Sequence, residues 1–307
     1  MALQPLGFID LPAHTGSGGF DHAAVHAPTG RIYVAHTAND AVDVIDIETR
    51  RHVASIGGLG AVAGALVVES PELVITSNRG ENTVGVFAPT DHPTVAKIDV
   101  GVRPNGLAYD PRRGRLLVAH VGDPAIPGSC TVSLVDVQAR KRIADLAVAG
   151  RTRWAVYDAG SDAFHVNVAD PPQMVVIDAG RATVRRTVSI SVPGPHGLDL
   201  DVARRRLYCA CDARRVLEVD ADSGAILEQA SIPGGPDVVF FNAERSRLYV
   251  AIGDPGVIEV FGTAPFTHQQ TVETEMGAHT LSFDAARNLV CAFLPESHRA
   301  AVYHDHA

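Results

Sequence analysis

The chain has 307 residues, of which 46% are hydrophobic and 20% charged, and it carries 28 glycines and 19 prolines. This composition suits a folded protein rich in turns and excludes an intrinsically disordered one. The formal net charge of -9 at pH 7 offers no global attraction to phosphate backbones or anionic membranes, so neither nucleic acid nor a membrane is expected as a partner.

In chain order, Met1-Ala2-Leu3-Gln4-Pro5-Leu6 lacks the basic and apolar segments of a signal peptide, and no later stretch approaches membrane-spanning length. So read, the protein is cytoplasmic. Gly7-Phe8-Ile9-Asp10-Leu11-Pro12 forms a first short strand. Residues 30–46 then read as two strands around a tight turn. Ile32-Tyr33-Val34-Ala35 is an apolar, β-prone run, Thr37-Ala38-Asn39-Asp40 has turn chemistry, and Val42, Val44 and Ile45 open the second strand. Such a hairpin cannot bury its own faces. Related units recur at Arg115-Leu116-Leu117-Val118-Ala119-His120, Arg206-Leu207-Tyr208-Cys209-Ala210, Arg247-Leu248-Tyr249-Val250-Ala251 and Asn288-Leu289-Val290-Cys291-Ala292.

Aligned on the first strand of each unit, Ala23, Ala65, Leu107, Ala155, Leu198, Val239 and Leu281 are equivalent, at intervals of 41 to 48 residues. A period of that size, with several short strands per unit, marks a propeller blade. The third unit has all four strands, at 107–110, 116–120, 132–137 and 142–148, and the fifth repeats them at 198–201, 207–211, 216–220 and 226–232. The seventh runs out of chain after three, at 281–284, 289–293 and 299–303. The strand at 7–12 matches the missing fourth. The expectation is therefore all-β: a single seven-bladed β-propeller domain over residues 1–307, with four-stranded blades. The N-terminal strand closes the last blade in a 3+1 arrangement, hiding edges that would otherwise invite aggregation. A ring that buries its own edges points to a monomer.

The units resemble the YVTN β-propeller repeat, the group that includes YncE-like proteins, over nearly the whole chain. Tyr33-Val34-Ala35-His36 and Tyr249-Val250-Ala251-Ile252 match the first part of that motif. Ile75-Thr76-Ser77-Asn78, followed by Thr83-Val84-Gly85-Val86, matches its asparagine and third strand. The resemblance implies the fold and carries no catalytic motif, so function has to be argued from the site.

In a propeller, the segments leading into each innermost strand and those joining second to third strands open on one face, so residues distant in sequence meet there. The lead-in positions include Asp21-His22, Asn105, Arg153-Trp154, His196, Asp237 and His279, and the second-strand exits include His36, Asn78 and His120. His36 and His120 each end a Val-Ala-His and stand where the repeat has asparagine. The expected metal ligands are His36, His120, His196 and His279, with His22 a possible fifth. Neutral imidazoles suit a divalent transition metal, whether Zn, Cu, Ni, Fe or Mn. Asp21, Asp237 and Arg153 are the catalytic candidates, for proton transfer or for stabilising an oxyanion. Asn105, Asn78 and Trp154 are the candidates for substrate contact.

This set suits a metal-dependent enzyme acting on a small-molecule substrate. Its chemistry would be hydrolysis, as in lactonase-like propellers, or elimination, as in lyase-like ones. A redox-active copper or iron enzyme is a second reading. The resemblance supports a third, a non-enzymatic YncE-like scaffold that binds a metabolite, peptide or protein. A polar, hydrated channel mouth would also use these residue types, simply to satisfy backbone groups and water. The Pro/Gly-rich insertion at residues 120–130 begins at His120 and is placed to roof the mouth. Cys130, Cys209, Cys211 and Cys291 read as small buried hydrophobes in a reducing compartment.

Overall fold

A computed structural model describes residues 2–306. Its short β-prone runs, separated by Gly-, Asp- and Asn-containing turns, pair into seven antiparallel sheets of four strands each. Blade 3 is representative, with Pro104–Asp110 innermost, then Arg115–His120, Thr131–Asp136 and Lys141–Ala147. The other innermost strands are Ala23–His26, Val62–Glu69, Thr152–Asp158, Pro195–Asp201, Pro236–Asn242 and Thr280–Asp284. These seven pack in cyclic order, the last against the first, so the protein is a seven-bladed β-propeller. Among the described residues, no helix is long and apolar enough to cross a membrane.

The ring closes as expected. Leu3–Asp10 pairs antiparallel with Arg299–Asp305, which makes it the outermost strand of the blade that starts with Thr280–Asp284. The strand begins earlier than the expected 7–12, because Leu3 is itself buried. It stops before Pro12, which has no N–H to continue the ladder; the last bond runs from Leu11 N to the His298 carbonyl at 2.8 Å.

The core lies between the blades. Val68, Ile75 and Ile98 of blade 2 meet Leu116, Val118 and Val135 of blade 3, and Phe20, Ile32 and Ile45 of blade 1 meet Phe293 and Val302 of blade 7. Each such side chain, fully buried, contributes about 1.5–3 kcal/mol. Ion pairs also cross the gaps: Arg113 of blade 3 reaches Asp162 of blade 4, and Arg205 of blade 5 reaches the buried Asp158 of blade 4, both at 2.7 Å.

Register decides which side chains reach the channel mouth. In blade 3, Pro104 faces His120 and Leu107 faces Val118, so Asn105 and Gly106 together oppose Ala119. The same irregularity recurs at Thr152/Ala155, Pro195/Leu198 and Pro236/Val239. A bulge of this kind breaks the ladder and re-aims a side chain. It lifts Asn105, Arg153, His196 and Asp237 out of their sheets at one height. Asp21, Ala63 and His279 hold the equivalent positions in blades 1, 2 and 7, and the seven residues make a ring.

The second-strand exits behave differently. Register aligns His36, Asn78 and His120 with Val168, Cys211, Ile252 and Leu294, all of them buried, so this is a core position. The expectation that His36 and His120 serve as ligands at the mouth is corrected here. His120 has its Nδ1 2.8 Å from Thr131 Oγ1, while the Gly101 N–H donates to its Nε2 at 3.2 Å. Burial pushes its pKa down to about 4. His36 has Nδ1 2.7 Å from Asp43 Oδ2 and Nε2 2.7 Å from His14 Nδ1. Both rings thus spend both nitrogens inside the fold. Asn78 is likewise structural rather than a substrate contact, its Nδ2 donating to Thr83 Oγ1 at 3.0 Å in the blade 2 counterpart of the His120–Thr131 pair.

Two outcomes follow from this architecture. Deleting residues 2–11 leaves Arg299–Asp305 as an open edge, and the truncated chain should aggregate or melt without a cooperative transition; a monomeric, cooperative melt by size exclusion and circular dichroism would contradict the closure. The second concerns acid. With an unfolded-state pKa near 6.5 and a folded one near 4, the neutral His120 ring contributes stability that is complete above pH 6.5 and is lost as pH falls through 4, on the order of 3 kcal/mol. His120→Asn, which copies Asn78, should flatten that part of the pH profile in urea unfolding at pH 7 and pH 4.5, and an unchanged profile would refute the assignment.

Candidate metal centre

Asp237, on the innermost strand of blade 6, is the centre of the ring. Its Oδ1 lies 3.1 Å from His196 Nε2 and 3.9 Å from His22 Nε2, and its Oδ2 lies 3.8 Å from His279 Nε2. Asp21 Oδ1 is 3.3 Å from the same His22 nitrogen. Donor atoms of Asp21, His22 and Asp237 all fall within 4.8 Å of one another. Atoms bound to one transition-metal ion at 2.0–2.2 Å sit roughly 3–3.5 Å apart. The observed gaps are at that spacing or slightly beyond it.

The imidazoles are oriented from behind. His196 Nδ1 is 2.7 Å from Asp212 Oδ1, and His279 Nδ1 is 2.7 Å from the Gly277 carbonyl. With a proton on Nδ1 donated to either acceptor, Nε2 is the nitrogen free to act as a ligand once the ring is neutral, which is how metal-binding histidines are held. The backbone is held too: Asn167 Nδ2 donates to the His196 carbonyl at 3.1 Å. Gly197 comes next, and a Cβ there would stand 2.3 Å from the Asp237 carbonyl oxygen, so only glycine lets blades 5 and 6 approach at this point.

Burial lowers the pKa of His22 against the pull of Asp21 and Asp237, so that ring is neutral at pH 7. Burial opposes charge on His196 as well, but Asp237 and Asp212 outweigh it and raise its pKa to about 9. For Asp237, burial would raise the carboxyl; His196, with His279 and His22 beyond it, holds it well below the usual carboxylate range.

Arginines flank the cluster. Arg153 Nη1 is 3.1 Å from His196 Nε2, and its Nη2 is 3.3 Å from Asp212 Oδ2. His196 Nε2 therefore has two alternative partners: protonated it faces Asp237, and neutral it accepts from Arg153. Arg79 Nη2 donates to Asn105 Oδ1 at 2.5 Å and lies 3.3 Å from Asp21 Oδ2. Trp154 packs on His22 with ring centroids 4.1 Å apart. Asp237 Oδ1, Arg79 Nε and Arg153 Nε are buried without a hydrogen-bond partner, an arrangement that favours a bound group among them.

The structure thus brings together Asp21, His22, Arg153, Trp154, His196, Asp237 and His279, with Asn105 joined through Arg79. His36, His120 and Asn78 stay in the core. Sequence reasoning missed Arg79, and it placed Asp212 among the exits without giving it a role. Each follows a buried exit residue, Asn78 or Cys211, and the two-residue alternation of a strand was the signal that could have found them. A cavity of about 680 Å³ forms the apolar channel behind the ring; of the site residues, only His22 and Trp154 line it. A second cavity of about 550 Å³ lies under the insertion, bordered by Arg103, Arg151 and Asp170. Cys209, Cys211 and Cys291 are buried free thiols, as expected, and Cys130 is half-buried beside this second cavity.

A scan of protein-family models and a search of curated protein sequences each return no match. Solved structures are similar in shape. A chain of the Kuenenia stuttgartiensis hydrazine synthase aligns with a TM-score of 0.80 at 12% identity, over 94% of this chain and 97% of that one. A chain of a mitotic checkpoint complex aligns with a TM-score of 0.82 at 9% identity, over 99% of this chain and 92% of that one. At such identities the likeness is one of fold, a β-propeller scaffold, and leaves the chemistry to the site.

Proposed function

We propose that the protein is a metal-dependent enzyme acting on a small molecule at the channel mouth. The observation behind this reading is the aim of three Nε2 atoms, from His22, His196 and His279, at the two carboxylate oxygens of Asp237. Mixed imidazole and carboxylate donors suit Zn, Mn, Fe, Ni or Cu better than Ca or Mg, which take oxygen shells. Asp237 is then a ligand rather than a general base. A divalent ion held there supplies Lewis acidity to a carbonyl, or acidity to a bound water.

The remaining residues have roles of their own. Arg153, whose Nη1 is 3.1 Å from His196 Nε2, is positioned to take up negative charge developing on a substrate oxygen. Asp21, held by Arg79, is the carboxylate next to the cluster that remains for proton transfer. Trp154, packed at a tilt against His22, closes the site on the channel side. Hydrolysis and elimination both use such a set.

Chelator-stripped protein, reconstituted with Zn, Mn, Fe, Ni or Cu in turn, should retain about one equivalent of one of them by elemental mass spectrometry. Asp237→Asn and His196→Ala should lose it, and Asp212→Asn, which only loosens the ring from behind, should weaken affinity about 10- to 100-fold. Full retention in Asp237→Asn would remove the site and return the protein to a binding scaffold. Because His196 must give up a proton to bind, affinity should fall as pH drops from 9 toward 6, followed by competition with a chromophoric chelator. A flat profile would take His196 out of the ligand set.

A further inference from the structure

The mouth is divided by charge, and only one half belongs to the metal cluster. Asp21, His22, His196, Asp237 and His279 come from blades 1, 5, 6 and 7. On blades 2, 3 and 4 the same face carries Arg79, Arg103, Arg151 and Arg153. Register explains the second group. Two residues before each member of the ring stand Gly19, Ala61, Gly194, Gly235 and Gly277 in five blades, and Arg103 and Arg151 in the adjacent blades 3 and 4. The backbone is held alike in both cases, Val121 N donating to the Arg103 carbonyl and Ala169 N to the Arg151 carbonyl, each at 2.9 Å. Arg103 adopts φ +56, a conformation that favours glycine, yet a long cationic side chain stands there.

The guanidinium groups of Arg79 and Arg153 have protein partners in Asn105, Asp21, His196 and Asp212, whereas those of Arg103 and Arg151 are exposed at the mouth and have none among the described residues. Among the described residues, no carboxylate lies within 4.0 Å of Arg103 or Arg151, although Asp123 and Asp170 also border the 550 Å³ cavity that the two arginines line. Arg79 Nε and Arg153 Nε are the buried, unbonded atoms noted above. Although Arg151 is exposed, partial desolvation and the neighbouring charges of Arg153, Arg79 and Arg103 lower its pKa, against Asp212, in keeping with like charges on this side of the mouth.

We propose that the substrate is a small organic anion whose carboxylate or phosphate group sits between Arg103 and Arg151 at the cavity they line, with its reacting end turned toward Asp237. The planar fork of arginine matches either oxyanion with paired N–H donors, and an anion there neutralises the crowding. Arg153 lies between the two halves and serves both. The insertion at 121–130 covers the anion half, so its cavity gives the body of the substrate a place next to the rim. This assignment rests on the metal reading for the reacting end alone; the anion pocket stands on its own residues.

Succinate and glycerol phosphate, with succinamide as the uncharged control, can be titrated calorimetrically at fixed ionic strength into metal-loaded and chelator-stripped protein. One or both anions should bind and succinamide should not; which anion binds tells carboxylate from phosphate. Arg103→Ala/Arg151→Ala should weaken binding at least about tenfold with metal content unchanged, and Arg103→Lys/Arg151→Lys, which keeps charge and fold but loses the fork, should fall between. Failure of both anions to bind wild type, or equal binding by both double variants and wild type, overturns the anion pocket. Anion binding by wild type that takes up no metal on reconstitution supports the pocket and defeats the metal reading instead.

Discussion

The structure depends on one constraint: seven sheets must close into a ring, with Leu3–Asp10 laid against Arg299–Asp305 as the last join. Closure forces the innermost strands into cyclic contact, and every blade then offers its lead-in segment to one shared mouth. Without that join, the blade 7 edge is open and His279 has no fixed distance from Asp21 or His22 of blade 1. The site is therefore a property of the closed ring and not of any blade. It also explains why blade interfaces, rather than the blades themselves, hold the apolar core.

Within the ring, a repeated bulge does the local work. It sets one residue per blade free of the ladder in blades 3 to 6, and glycine after it, at Gly106 and Gly197, lets the neighbouring backbone close in. The free residue can then differ from blade to blade at little cost to the fold. Six of the seven positions are polar here, and they segregate: carboxylate and imidazole on one side, guanidinium on the other. A carboxylate such as Asp237, surrounded by three imidazoles, is stabilised as an anion in spite of burial. The same carboxylate raises the pKa of His196, so on the proposed function a proton and a metal would compete for one nitrogen.

The histidines divide by strand parity. His36 and His120 sit on exit positions whose counterparts are Val168, Cys211, Ile252 and Leu294, and a polar ring there must find its partners inside the core, as His120 does with Thr131 and Gly101. One residue later the chain turns to the mouth, where Arg79 and Asp212 lie. Taking His36, His120 and Asn78 as mouth residues is a one-residue error in parity, which puts them in the candidate site, leaves Arg79 out and gives Asp212, an exit position, no role.

From its sequence alone, the period of 41 to 48 residues, the four short strands per unit and the unmatched strand at each end determined the propeller, its seven blades and its closure. The lead-in residues Asp21, Arg153, His196, Asp237 and His279 were also legible, because equivalent positions of a repeat must converge on one axis. Only the tertiary structure showed that the lead-in side chains are lifted out of their sheets, since the bulge that re-aims them leaves no mark in composition or period, whereas the burial of His36 and His120 was open to strand alternation. It alone also revealed the two-sided charge of the mouth: Arg103 and Arg151 become a pocket only when blades 3 and 4 are adjacent and like charges are held together by the fold against their repulsion.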